Sequence, residues 1–301
     1  MCWRRPGLCG YCRAALKGEV GKVIIGVIGA GVMGNGIAET AASVGQVILV
    51  DINQEVAEKG RLAVKQRLKR SVEREYITQE QKEELLARIT AGGSLEALKE
   101  ADFVIEAASE DLALKKEIFQ NLGEICRSDC ILGTNTSALS VTEIAAVTAG
   151  PERVLGIHFF NPAARMKLVE LVRTPFTSQT YFAEAKEFAK QLGKTPVTVD
   201  ESPGFVVNRL LIPMINEAAF LLAEGVASAK DIDTAMQLGA NHPMGPLALA
   251  DLVGLDICLA VMETLQRELG EAKYRPAPLL RKMVRAGRLG RKTKGGFHNY
   301  D

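Results

Sequence analysis

With 301 residues, 47% of them hydrophobic, the chain is long enough for about two domains with ordinary cores. Its 37 lysines and arginines nearly cancel 36 aspartates and glutamates, so nothing global points to nucleic acid or an anionic membrane as a partner. No apolar stretch reads as a membrane span: the strongest, Phe205 to Leu222, carries Arg209, Pro213, Asn216 and Glu217 and reads as a buried amphipathic helix of a soluble chain.

The first 20 residues hold Cys2, Cys9, Cys12, Arg4, Arg5, Arg13 and Lys17, with no acid before Glu19. The Cys9/Cys12 pair has CxxC spacing but no second CxxC, and no histidine precedes His158, so no metal site is expected. Residues 1–20 read as a disordered extension of a cytoplasmic protein; the alternative is a transit peptide, which would place the chain in the mitochondrial matrix. Cys126, Cys130 and Cys258 read as small core or helix residues in a reducing compartment.

The run Val23 to Ile28 predicts a buried parallel strand, followed at once by Gly29-Ala30-Gly31-Val32-Met33-Gly34 and a small-residue helix. A second strand, Val47 to Val50, ends on Asp51. In such an arrangement Gly29 permits the tight turn, Gly31 lets backbone approach a pyrophosphate, and Gly34 lets helix and strand pack closely. The helix N-terminus offers free N–H groups and a positive dipole end to phosphates. Asp51 stands about 20 residues beyond Gly29, where a carboxylate accepts ribose hydroxyls and disfavours a 2′-phosphate, so NAD is expected over NADP. The cofactor contacts expected from this region are Gly29, Gly31, Val32, Met33, Gly34, Asp51 and Ile52.

From Lys59 to Arg70 there are six cations (Lys59, Arg61, Lys65, Arg67, Lys69, Arg70) and no acid. Arg61, Lys65 and Lys69 share one helical face and Val64, Leu68 and Val72 another. A solvated charged face and a site for a phosphate-bearing substrate both remain open here.

Further strands are predicted at 102–108, 130–134, 154–159, 167–172 and 195–199. Helices are predicted at 112–126, from about Ser140, and at 179–192. This alternation predicts a Rossmann-type, mostly parallel α/β sheet over 21–201. Ser202-Pro203-Gly204 is a helix-start signal, and only helical periodicity follows, at 205–223, 229–238, 246–269 and 279–286. Residues 202–301 are therefore expected to form an all-α second domain.

His158 sits at the carboxyl end of a predicted strand, the edge where ligands lie in open α/β sheets. A turn near Ala164 would fold the next strand back and set Glu170 opposite it. A carboxylate there fixes the tautomer and orients the ring. An imidazole, whose unperturbed pKa is about 6.5, can then take a proton from an alcohol near neutral pH. The alternative is a core histidine satisfied by Glu170.

These segments resemble the L-3-hydroxyacyl-CoA dehydrogenases, with bacterial short-chain members acting on 3-hydroxybutyryl-CoA closest in length and wording. The matching motifs are Gly29-x-Gly31-x-Met33-Gly34, Ile105-Glu106-Ala107-x-x-Glu110, Asn135-Thr136-Ser137, His158-Phe159-Phe160-Asn161-Pro162, Met166-x-Leu168-Val169-Glu170 and Pro203-Gly204-Phe205-Val206-x-Asn208-Arg209. Asp231-Ile232-Asp233-x-Ala235-Met236, Pro243-Met244-Gly245-Pro246 and Gly290-Arg291-Lys292-Thr293 match as well, so the resemblance runs from about residue 22 to 300. Lys294 and His298 stand where the family pattern has glycine and tyrosine.

The resemblance implies His158 as general base and Glu170 as its orienting partner, with Ser137 and Asn208 hydrogen-bonded to the reacting oxygens. It implies Asn161 as a pocket wall, Glu110, Lys115, Asn135 and Ser137 as further cofactor contacts, and Lys59, Lys65 and Lys69 as candidates for the CoA phosphates. It implies an acyl-CoA substrate and a homodimer formed through the helical domain. Read by themselves, Ser137 could equally cap the helix that follows, Glu110 could be a first-turn helix acid, and Asn208, about one turn into its helix, could join two helices. His242 and His298 are given no role.

The reaction so implied is reversible oxidation of an (S)-3-hydroxyacyl-CoA to the 3-ketoacyl-CoA by NAD, in fatty acid β-oxidation or butyrate-type fermentation. Two other readings stay open: a dehydrogenase of free hydroxy acids, and a protein that binds the cofactor without turnover.

Overall fold

Strands buried on both faces read as unbroken apolar runs, and the central strands of the first unit's sheet are such runs. In a computed structural model that describes residues 23–300, β1 (Ile24–Ile28), β2 (Gln46–Val50), β3 (Ile89–Gly92), β4 (Phe103–Glu106), β5 (Ile131–Thr134), β6 (Val154–Phe159), β7 (Leu168–Arg173) and β8 (Thr195–Asp200) form one sheet. The N-terminal extension with its Cys9/Cys12 pair lies outside the described residues. The chain divides into two compact units between Glu201 and Ser202.

The strand order is β3-β2-β1-β4-β5-β6-β7-β8, parallel throughout except where β7 runs antiparallel to β6. The chain reverses direction in sheet order between β1 and β4, which opens a crevice at their carboxyl ends. The helices of this unit are α1 (Val32–Ala41), α2 (Gln54–Glu73), α3 (Gln79–Ala87), α4 (Leu112–Ile125), α5 (Val141–Ala146) and α6 (Gln179–Gln191). Two apolar cores result. One joins β1 and β2 to Ile37, Val64, Phe182 and Phe188; the other joins β4 and β5 to Ile118, Phe119 and Leu122 of α4.

Two elements escape the sequence reading. The short strand β3 contributes Ile89-Thr90-Ala91-Gly92, too brief for a periodic signal, and α3 has no fully buried side chain, only Leu85 and Leu86 half-buried against the core. Only the capping box of α3, Thr78 with Gln81, announces that helix in the sequence.

The second unit is helical: α7 (Val207–Ala223), α8 (Ala229–Gly239), α9 (Pro246–Val253), α10 (Leu255–Leu269) and α11 (Pro278–Arg285). Its core centres on Ile212, Ile215, Leu255, Cys258, Met262 and Leu265. Two expectations are corrected. The first helix starts at Val207, not 205, because Gly204 and Phe205 both have positive φ (74° and 51°) and turn the chain before it enters the helix. The single helix expected over 246–269 is two, broken at Gly254, whose φ of 108° no helix accommodates.

Cys126, Cys130 and Cys258 are buried free thiols. No helix among the described residues is long and apolar enough to cross a membrane.

Candidate active site

The turn between β1 and α1 is shaped by what its glycines leave out. Gly29 has φ 93°, and a Cβ there would meet the Ala107 carbonyl oxygen at 2.5 Å. A Cβ on Gly34 would fall 1.6 Å from the Gly29 oxygen, so helix and turn approach as only glycine allows. At Gly31 a Cβ would meet nothing within 4 Å, because this backbone borders open space. No side chain caps α1 at Gly31, and no acid lies in its first turn.

Asp51, just past β2, is bound into the same turn. Its Oδ2 accepts from the Ala30 N–H at 2.6 Å and its Oδ1 from the Ile52 N–H at 2.7 Å. Beside it a cavity of about 660 Å³ is lined by Gly29, Gly31, Asp51, Ile52, Ala107 and Ile118, among others. An uncapped helix start, an open glycine edge and an acid beside an apolar-walled cavity fit a dinucleotide's pyrophosphate and adenosine. Ser94, Leu95, Leu114, Glu117 and Asn121 also line this cavity. They come from segments with no motif of their own, and only the sheet order brings them here.

Four strands along the same sheet edge, the antiparallel register of β6 and β7 pairs His158 with Glu170. His158 Nδ1 lies 2.8 Å from Glu170 Oε2, and both side chains are buried, at 8% and 1% exposure. A carboxylate only accepts, so Nδ1 carries the hydrogen and Nε2 is the nitrogen able to take a proton. The Phe160 ring lies tilted against the imidazole, centroids 4.5 Å apart.

The end of β5 connects this pair to the cofactor side. Asn135 Oδ1 accepts from the Phe159 N–H at 2.9 Å, and the Asn135 N–H donates to the Glu106 carbonyl at 2.7 Å. Ser137 meets Glu110: Oε1 accepts from the Ser137 N–H at 2.9 Å and from its hydroxyl at 3.3 Å, and from the Thr136 hydroxyl at 2.6 Å. Lys115 Nζ lies 3.6 Å from the other Glu110 oxygen. The two simpler alternatives for these residues fail. Ser140, not Ser137, caps α5, and Glu110 precedes Asp111, the cap of α4, so it is not a first-turn acid.

Asn161 lies in the exposed turn that follows β6. Sequence reading passed over Lys194, whose buried Nζ donates to the Ala163 carbonyl at 2.6 Å and the Met166 carbonyl at 2.9 Å, fastening that turn. Burial pushes its ammonium below the ordinary lysine range. A lysine just ahead of a strand gives no sign of this in the sequence.

The six cations of α2 divide. Arg67 donates to Glu39 and to Asn35 on α1, and Arg61 to the Ile89 carbonyl, so both are part of the packing. Gly60 sits against Ala30, bringing α2 onto the glycine turn. Lys59, Lys65 and Lys69 are exposed; Lys59 pairs with Glu55 at 2.7 Å, while Lys69 and Glu73 stand 3.8 Å apart.

In the second unit Asn208 is the second residue of α7, nearer its start than the sequence suggested. His298 Nε2 lies 2.7 Å from Asp233 Oδ2, whose carboxylate also accepts from the Leu247 and Ala248 N–H groups. His298 therefore has a structural contact where the sequence suggested none. No group of three or more metal-ligating side chains occurs among the described residues.

Comparison with known proteins matches residues 24–202 to the family model "3-hydroxyacyl-CoA dehydrogenase, NAD binding domain" and residues 204–300 to its C-terminal domain. A 3-hydroxybutyryl-CoA dehydrogenase of Clostridioides difficile is 50% identical over 278 residues, covering 92% of this chain and 99% of that protein. The mouse mitochondrial hydroxyacyl-coenzyme A dehydrogenase is 40% identical over 282 residues, 91% of this chain and 90% of its own. Among solved structures, the (S)-3-hydroxybutyryl-CoA dehydrogenase of Ralstonia eutropha has a TM-score of 0.89 at 50% identity, covering 92% of this chain and 99% of that one. The chain belongs to the 3-hydroxyacyl-CoA dehydrogenase family, with that family's NAD-binding domain as its first unit.

Proposed function

We propose that this chain oxidises (S)-3-hydroxyacyl-CoA, with 3-hydroxybutyryl-CoA as the substrate, reversibly to the 3-ketoacyl-CoA. NAD, when bound, supplies the hydride acceptor. His158 Nε2 takes the hydroxyl proton as the hydride leaves, and Glu170 holds the ring and stabilises the imidazolium. Ser137 and Asn208 hydrogen-bond the reacting oxygens, and holding the carbinol carbon in line is a large share of the rate gain. Asn161 walls the pocket, and Gly29, Gly31, Val32, Met33, Gly34, Asp51, Ile52, Glu110, Lys115 and Asn135 receive the cofactor. The exposed lysines of α2, Lys59, Lys65 and Lys69, meet the CoA phosphates.

The observation that carries this reading is the buried 2.8 Å contact between His158 and Glu170 on the same sheet edge as the glycine turn. The names of the bacterial relatives support a four-carbon acyl group. By the same likeness the protein works in the cytoplasm as a homodimer joined through its helical unit, in fatty acid oxidation or butyrate-type fermentation; a mitochondrial matrix location is the alternative. The test is NADH absorbance with acetoacetyl-CoA: the pure protein turns it over, and absence of turnover across neutral pH rejects the assignment.

A further inference from the structure

Glu106 ends β4 with no exposed surface, and the steps proposed above make no use of it. Its Oε1 accepts from Lys115 Nζ at 2.6 Å and from the Ala108 N–H at 2.7 Å, and its Oε2 accepts from the Thr134 hydroxyl at 2.7 Å. Lys115 is itself 1% exposed and also donates to the Ala108 carbonyl at 3.3 Å. Beyond that ammonium, at 3.6 Å, stands the second oxygen of Glu110, whose first oxygen holds Thr136 and Ser137. One buried cation thus lies between two carboxylates, close to the first and a full ångström further from the second.

A buried ammonium stripped of its close carboxylate is costly and moves toward whatever charge remains. Here that charge is Glu110. Closing the 3.6 Å gap would draw Glu110 away from the hydroxyl and N–H of Ser137.

We propose that Glu106 is a positioning residue of this site: it anchors Lys115, and so leaves Glu110 free to hold Thr136 and Ser137 at the carboxyl end of β5. The Thr134 hydroxyl shares the task by fixing the second Glu106 oxygen. What Ser137 then does for the substrate rests on the dehydrogenase reading; the anchoring does not.

The test uses the full chain as E106Q, K115M, the double variant E106Q/K115M, and T134V alone and with K115M. Two quantities are measured on each: kcat for acetoacetyl-CoA at saturating NADH, and the NADH Kd from nicotinamide fluorescence. E106Q is expected to lower kcat at least tenfold and to raise Kd at least threefold. The double variant is expected to match K115M in both, since no ammonium is then left to move. T134V, a milder change that keeps the carboxylate, is expected to shift both quantities in the same direction by twofold to fivefold, an effect that disappears beside K115M. Effects of E106Q and K115M that multiply independently, or an E106Q protein within twofold of the unaltered one, overturn the proposal. The fluorescence arm needs no acyl substrate. NADH binding with this pattern but without acetoacetyl-CoA turnover in the unaltered protein would reject the dehydrogenase reading and leave the Glu106 proposal supported.

Discussion

His158 and Glu170 stand opposite one another across the single antiparallel seam of the sheet, where β7 returns beside β6. Cross-strand neighbours have their Cβ atoms about 5 Å apart, close enough for an imidazole and a carboxylate to meet without strain. The 2.8 Å contact uses Nδ1 and leaves Nε2 as the nitrogen for proton transfer. His158→Gln should therefore lower kcat by about 10²–10⁴, the usual worth of a general base, with the NADH Kd within about threefold. Glu170→Gln keeps the shape and lets the ring adopt the wrong tautomer, so kcat should fall with little change in KM. Steady-state kinetics with acetoacetyl-CoA and an NADH fluorescence titration check both. Activity that survives His158→Gln means the base is another group.

Asp51 is tied to the turn by two backbone N–H groups as well as facing the cavity. Asp51→Ala should weaken NADH binding about tenfold to a hundredfold, the scale of about 1.5–3 kcal/mol for a hydrogen bond from a ribose hydroxyl to a charged carboxylate. Its preference for NADH over NADPH should narrow at the same time, because the charge opposing a 2′-phosphate is gone. Fluorescence titration with each cofactor reads both effects.

The exposed lysines of α2 should matter to the CoA end of the substrate alone. Lys65→Glu with Lys69→Glu should raise KM for acetoacetyl-CoA about tenfold while kcat holds, and added salt should shrink the difference, since exposed charges are screened beyond about 8–10 Å. A truncated pantetheine thioester, which lacks the nucleotide phosphates, should show an unchanged KM. An unchanged KM for the full CoA ester instead assigns this face to solvent.

Much of this site could be read from the chain before any coordinates. Apolar runs buried on both faces announce β1, β2, β4, β5 and β6, and the glycine turn and Asp51 follow from their spacing. What stays hidden depends on long-range packing. Glu110 and Ser137 are 27 positions apart and touch only because β4 and β5 are sheet neighbours. Lys194 reaches back 31 positions to the Ala163 carbonyl, and β3 and α3 carry no periodic apolar signal to betray them. The split at Gly254 is a conformational choice that helical periodicity on either side conceals.

Lys194 is buried against two carbonyls, and burial lowers its ammonium below the ordinary 10.5. In the folded state it therefore binds fewer protons than in the unfolded chain just below pH 10.5. Its contribution to stability accordingly rises with pH toward that value. Lys194→Met should cost about 2–4 kcal/mol by stranding the Ala163 and Met166 carbonyls. The Tm gap between the two proteins should widen as the pH rises toward 10.5, because the folded protein sheds the desolvated charge ahead of the unfolded chain. A gap that narrows over this range contradicts the assigned direction.

Lys294 sits in the left-handed region, φ 57°, at the close of the last short helical turn, and its side chain is exposed. An L-residue there costs roughly 1–2 kcal/mol that glycine does not. Glycine gives back part of that through the larger entropy of the unfolded chain, about 0.5–1 kcal/mol. Lys294→Gly should therefore raise stability by about 0.5–1 kcal/mol, read as a higher Tm, with kcat unchanged. A control with Lys294→Ala, which removes the side chain but keeps the Cβ, should not show the gain. If both variants rise together, the benefit comes from losing a charge in the cationic stretch that includes Arg288, Arg291 and Lys292, and the backbone argument fails.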